Sequence, residues 1–273
     1  MDTTTRALGI DTDVSQYNTD RNGYPLTPKF ESLTGRKPDF VIVKLSEGIF
    51  VDPKFKFVYE PLAAPAAVRG LYHYQRSGVS WQLQADNVLK NTPTDCNVIA
   101  LDIEKIGNVL DAKFFADSSR ILRYIQANSK CKVIYYTGQD VYVNYMLPVM
   151  SKWYPQDLWF LEFPLWVASW PYLKAMRSPN NNPSLPRNMR GDWKFLQWTD
   201  AGDQPPYIGV GSPDVDVFNG PPSDLLAWVG AQQPAPIPDP VPMPSGSQTI
   251  ITKQVTISVS TSDQNTGVDI KVQ

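Results

Sequence analysis

Short apolar runs of β type recur along residues 1–230, each bounded by turn residues or by a helical pattern: RALGID, FVIVKL, VRGLYHY, NVIALDIE, KVIYYT, LWVAS, WKFLQWT and DVDVF. Between NVIALDIE and KVIYYT, Leu110, Phe114, Ile121 and Ile125 recur at helical spacing. After VRGLYHY, the segment SWQLQADNVLKN opens on Ser80 as an N-cap. Strand, helix, strand predicts parallel pairing. Eight strands, some joined by helices and others by irregular loops, predict an α/β fold: an irregular, TIM-like (β/α) barrel with missing or shortened helices. No glycine-rich phosphate loop follows any strand, which argues against an open nucleotide-binding sheet.

The pattern breaks near Gln232. QQPAPIPDPVPMPSGS carries Pro at almost every second position and is expected to run as an extended polyproline linker over 231–247. Beyond it, Val255, Ile257 and Val259 alternate with polar residues, DQNTG reads as a turn, and Val268, Ile270 and Val272 resume the alternation. Residues 248–273 are therefore expected to form a β-hairpin tail after a barrel domain at 1–230. A lone hairpin is marginal in water, so the tail is expected to serve oligomerisation or docking, a homo-oligomer being one outcome.

Composition narrows the partners. The 273 residues are 42% hydrophobic with a net charge of −2 and no dense Lys/Arg run, which gives no footprint for nucleic acid or an anionic membrane. No apolar run approaches the roughly 20 residues that span a bilayer, and MDTTTRALGIDTDVS lacks the apolar core of a secretory signal. A single His, His73, leaves no metal-ligand spacing, and no cofactor or metal is expected; His73 between two tyrosines reads as an outer-face packing residue. Cys96 and Cys131 each precede a strand, so the thiols are expected side by side, either bridged or free. The 8 Trp and 13 Tyr are abundant enough to fill a core or line a cleft for sugars.

In such a barrel the C-terminal ends of the strands line the active site. NVIALDIE ends in Asp102 and Glu104, two positions apart, so both carboxylates project to one face. Their mutual repulsion raises one pKa, expected at Glu104 if apolar walls surround it, leaving a protonated donor beside an ionised Asp102. That division suits glycosidic cleavage. Asp11 and Asp13, and Asp214 and Asp216, repeat the pattern at the first and last strands, which are neighbours in a closed barrel. Tyr72, Tyr74, Tyr136, Trp170, Gln197 and Trp198 are the candidate sugar contacts.

GIDTDVSQYN, FVIVKLSEG followed by FVDPKF, GLYHYQ, ALDIE, LWVASW, FLQWT and DVDVF occur in the order of blocks of the glycoside hydrolase family 25 lysozymes, which the chain resembles over about residues 7 to 220. The resemblance implies a muramidase that cleaves the β-1,4 bond between N-acetylmuramic acid and N-acetylglucosamine in bacterial peptidoglycan. It implies Glu104 as general acid, Asp102 as the residue assisting the substrate's N-acetyl group, and Asp216 as the strand-eight acid. For strand one, the resemblance favours Asp13, which keeps the register of the family's Asp-Val-Ser, with Asp11, which keeps that of its Gly-Ile-Asp, as the alternative. Trp170 stands where the family commonly has Tyr, and Leu196 where it often has Trp. Retention of configuration is expected.

A chitinase-like N-acetylhexosaminidase and a non-catalytic wall-glycan-binding protein are the alternatives. The setting expected is a bacteriophage endolysin released from the host cytoplasm through a holin, or a virion-associated wall hydrolase.

Overall fold

A computed structural model of the chain describes residues 6–12, 37–56, 59, 66–170, 180, 182–183, 193–199, 214–230, 255–260 and 267–272. All eight predicted strands form: β1 (Leu8–Thr12), β2 (Phe40–Glu47), β4 (Val68–Tyr74), β5 (Val98–Asp102), β6 (Lys132–Gly138), β7 (Leu165–Ala168), β8 (Trp193–Thr199) and β9 (Asp214–Phe218). They close into a barrel because β1 pairs with both β2 and β9. A two-residue strand, β3 (Phe50–Val51), folds back on the end of β2.

Six neighbouring pairs are parallel, but β9 runs antiparallel to β8 and to β1. The reversal matters for the site. It brings the N-terminal end of β9, with Asp214, to the same rim as the C-terminal ends of the others, and sets Asp214 opposite Asp11.

Strand alternation sorts the core into two layers. Val41, Val43, Leu71, Ile99, Leu101 and Val133 face outward, where they are covered by the helices Trp81–Asn91 and Ala112–Asn128 through Ala85, Val88, Phe115, Ile121 and Ile125. Asp111 caps the second helix by accepting from Phe114 N at 2.8 Å. Ser80 stands at the N-cap of the first without a side-chain cap bond. Inside the barrel, Phe40, Ile42, Val98, Ile134, Phe195 and Phe218 pack together, and the helix Pro222–Gly230 adds Leu225 and Trp228. The Trp228 ring lies 5.7 Å from Phe195 and 5.8 Å from Phe218.

This aromatic packing explains Gly9. A Cβ there would lie 2.4 Å from the Phe40 ring. Gly9→Ala is expected to force Phe40 off its rotamer and cost about 1–3 kcal/mol, read as a lowered melting temperature.

Cys96 and Cys131 are free and buried at the N-terminal ends of β5 and β6, Cys131 Sγ donating to the Cys96 carbonyl at 3.2 Å. His73 is fully buried on the outer side; its Nδ1 accepts from Ser46 Oγ (2.8 Å), its Nε2 faces Gln84 Oε1 (3.3 Å), and burial lowers its pKa to about 4. It is a neutral packing residue. No described helix is long and apolar enough to cross a membrane.

The chain divides into two compact units, Met1–Pro240 and Val241–Gln273. In the second, β10 (Val255–Ser260) and β11 (Gly267–Val272) pair antiparallel, the hairpin its alternation predicts. The Pro-rich linker and Asp13 lie outside the described residues.

Candidate active site

The open end of the barrel is a cleft of about 780 Å³ whose lining includes Asp11, Asp102, Glu104 and Asp214 with Tyr72, Tyr74, Tyr136, Trp166 and Gln197. Asp102 is the last residue of β5, paired with Tyr74 on one side and Tyr136 on the other. Ile103 turns outward into the helix-covered layer, so Asp102 and Glu104 share the cleft face as the two-residue spacing predicts.

Tyr136 reports how closely these acids converge. Burial drives its phenol pKa upward, and the charges of Glu104, Asp102, Asp11 and Asp214 all push the same way. Tyr74 is raised by burial and then by Glu104 and Asp102. Both phenols are therefore held as hydrogen-bond donors: Tyr136 to Gln197 Oε1 at 3.0 Å, Tyr74 to the Ile106 carbonyl at 2.7 Å. Gln197 in turn donates to Asp11 Oδ1 (3.2 Å) and Asp214 Oδ2 (3.1 Å), tying β1, β6, β8 and β9 at one level.

Asp216 lies one layer deeper than Asp214, wholly buried, and accepts from Trp166 Nε1 at 2.8 Å. Burial and then the neighbouring Asp216 charge raise Asp11 well above the usual carboxylate range. Burial raises Asp216 to about 7, against hydrogen bonds from Asp11 and Trp166 that lower it. Each carboxyl therefore keeps its proton to a higher pH than a free aspartate does, and the two titrate as a coupled pair.

One predicted contact is corrected. Trp198 packs half-buried against the outer apolar layer, because adjacent strand residues face opposite sides and Gln197 takes the inward position. Trp170, just past the C-terminal end of β7, is 43% exposed and is not among the described residues that line the cleft. Trp166 takes the inner aromatic place instead, its ring 4.6 Å from Tyr136 and 6.5 Å from Tyr72. The sequence reading missed it because LWVAS is short and apolar throughout, hiding which face each residue takes. It also missed Arg76 and Glu47, which pair beside the cleft, Arg76 Nε donating to Glu47 Oε1 at 2.6 Å. Among the described residues, no group of three or more His, Cys, Asp or Glu is placed to hold a metal.

Comparisons agree with this fold. A family 25 glycosyl hydrolase from Bacillus anthracis matches with a TM-score of 0.57 at 21% identity, over 83% of this chain and 93% of that one. The catalytic domain of endolysin ply40, from bacteriophage P40 of Listeria monocytogenes, matches at 0.54 and 19%, over 82% and 97%. The modular Cpl-1 endolysin, solved with a peptidoglycan analogue, matches at 0.52 and 21%, over 78% of this chain and 54% of its own. The YegX protein of Escherichia coli O157:H7 is 26% identical over 206 residues, 74% of this chain and 67% of that one. The sequence profile of glycosyl hydrolases family 25 matches residues 12–206, and the chain belongs to that family of glycosidases.

Proposed function

We propose that the chain is a muramidase, cleaving the β-1,4 bond between N-acetylmuramic acid and N-acetylglucosamine in peptidoglycan. The observation that carries the reading is the convergence of Asp11, Asp102, Glu104 and Asp214 around Tyr136 in one cleft of a family 25 barrel. Glu104 gives its proton to the glycosidic oxygen while the carbonyl oxygen of the substrate's N-acetyl group bonds to the anomeric carbon and the leaving sugar departs. The Glu104 carboxylate then takes a proton from water, whose oxygen opens the cyclic intermediate. Two inversions give net retention. Asp102 orients the N-acetyl group and offsets the charge it acquires.

Once Asp216 ionises, near pH 7, the Asp11 and Asp216 pair supplies one further negative charge beneath the reacting sugar. Asp11 is taken as the strand-one acid, since its carboxylate meets Gln197 and Asp216, and Asp13 is the alternative. Tyr72 and Tyr136, backed by the buried Trp166, offer aromatic surface to the sugar rings, with Tyr74 and Gln197 as polar contacts.

Release of reducing ends from purified peptidoglycan and from chitin oligomers tests the substrate. Peptidoglycan is expected to be cleaved and chitin left largely intact; the reverse would make the protein a chitinase-like N-acetylhexosaminidase.

The setting proposed is an endolysin freed through a holin, or a virion-associated hydrolase, supported by the likeness to two phage endolysins. Residues 248–273 are proposed as an oligomerisation or docking element after the barrel at 1–230 and the linker at 231–247. Light scattering on the full chain and on a form lacking 248–273 should show a larger assembly only for the former. Equal masses together with equal binding to cell walls would contradict that role.

A further inference from the structure

Glu104 lies two residues beyond the end of β5, where the sheet no longer fixes the main chain. On the β6 side the segment is held at Ile103, whose N–H donates to the Tyr136 carbonyl (3.0 Å) and whose carbonyl accepts from Thr137 Oγ1 (2.9 Å). On the β4 side one side chain holds Glu104 itself. Asn108 Nδ2 donates to the Glu104 carbonyl (3.0 Å) and to the Gln75 carbonyl (2.9 Å), while Asn108 Oδ1 accepts from Ser77 N (2.8 Å).

The turn between them is built to bring Asn108 back. Asn108 N donates to the Lys105 carbonyl at 3.0 Å, and Gly107 takes a left-handed φ of 70°. A Cβ on Gly107 would run into Arg76 Nη1, which with the Tyr74 hydroxyl anchors the Ile106 carbonyl at 3.1 and 2.7 Å.

From this arrangement we infer that Asn108 is a positioning residue for the reaction: its amide clamps the Glu104 main chain to the 75–77 segment and thereby sets where the Glu104 carboxyl stands in the cleft. The inference rests on the reading of Glu104 as proton donor. The position calls for two donors and one acceptor in a planar group, which asparagine supplies. Aspartate has its shape without the donors, and alanine has neither. A general acid displaced by about 1 Å loses on the order of 100-fold in rate.

The test is steady-state kinetics on soluble peptidoglycan oligomers with wild type, Asn108→Ala, Asn108→Asp and Glu104→Gln, assayed well below the melting temperature of each. Both Asn108 variants are expected to lose about 10- to 100-fold in kcat with KM changed less than about threefold. If Asn108→Asp restores wild-type kcat while Asn108→Ala does not, the side chain only fills space and the positioning role is wrong. A loss confined to KM, or kcat kept in both variants while Glu104→Gln is inactive, overturns the clamp and leaves the acid assignment standing. Full turnover by Glu104→Gln removes the acid assignment, and the clamp with it.

Discussion

Glu104→Gln is expected to reduce turnover by about three orders of magnitude or more while the protein folds and binds glycan as the wild type does. The amide keeps the size and main-chain anchoring of Glu104 but has no proton to give, so the leaving oxygen would depart as an alkoxide and no carboxylate would remain to activate water. General acid and base catalysis each contribute roughly 10²–10⁴-fold, and in the proposed mechanism one residue serves both steps. Folding should be little affected, because Glu104 is only partly buried at the mouth of the cleft. The check is reducing-end release alongside circular dichroism and glycan binding. Substantial residual turnover would move the acid role elsewhere in the cleft, with Asp214 the first residue to examine.

The second large effect concerns the buried carboxyl pair. In the unfolded chain Asp11 and Asp216 ionise near 4, whereas burial keeps Asp216 protonated up to about 7 and raises Asp11 well above the usual carboxylate range. Between those values the folded state binds more protons than the unfolded state. The pair's contribution is therefore fully present below about pH 4 and is lost as pH rises toward 7 and beyond. Asp216→Asn removes one titration and the repulsion with it.

Its melting temperature should match wild type near pH 4 and exceed it by pH 8. A shift from an ordinary aspartate value to about 7 corresponds to at most about 4 kcal/mol. About 2 kcal/mol suffices to move the transition by roughly 4–8 °C in a domain of this size. Activity should move the other way, by tenfold or more, since the proposed mechanism loses its charge beneath the reacting sugar. Such opposition between stability and activity is common where a strained group serves function. A variant destabilised at both pH values would show that Asp216 is held as a satisfied structural acid, chiefly by Trp166.

The barrel was legible because its information is local. Eight apolar runs gave eight strands, and the spacing of Asp102 and Glu104 placed both on the cleft face. Closure, with the first and last strands as neighbours, followed from strand number. The antiparallel course of β9 was not legible, since the alternation in DVDVF does not encode strand direction. That reversal puts Asp214 at the mouth and Asp216 below it.

Trp198 was misassigned by treating an aromatic in a strand as a cleft residue without following the alternation that Gln197 already fixed. Trp166 and the Arg76–Glu47 pair depend on which strands meet in space, and no spacing along the chain encodes that. The Asn108 clamp has the same origin. Its partners lie at Gln75, Ser77 and Glu104, and only the packing of two loops brings them together.

The most direct test of the central claim is digestion of purified peptidoglycan by the wild-type protein, with mass spectrometry identifying the sugar at each new reducing end. The account predicts N-acetylmuramic acid at those ends. N-acetylglucosamine ends, or intact glycan after prolonged digestion, would contradict it.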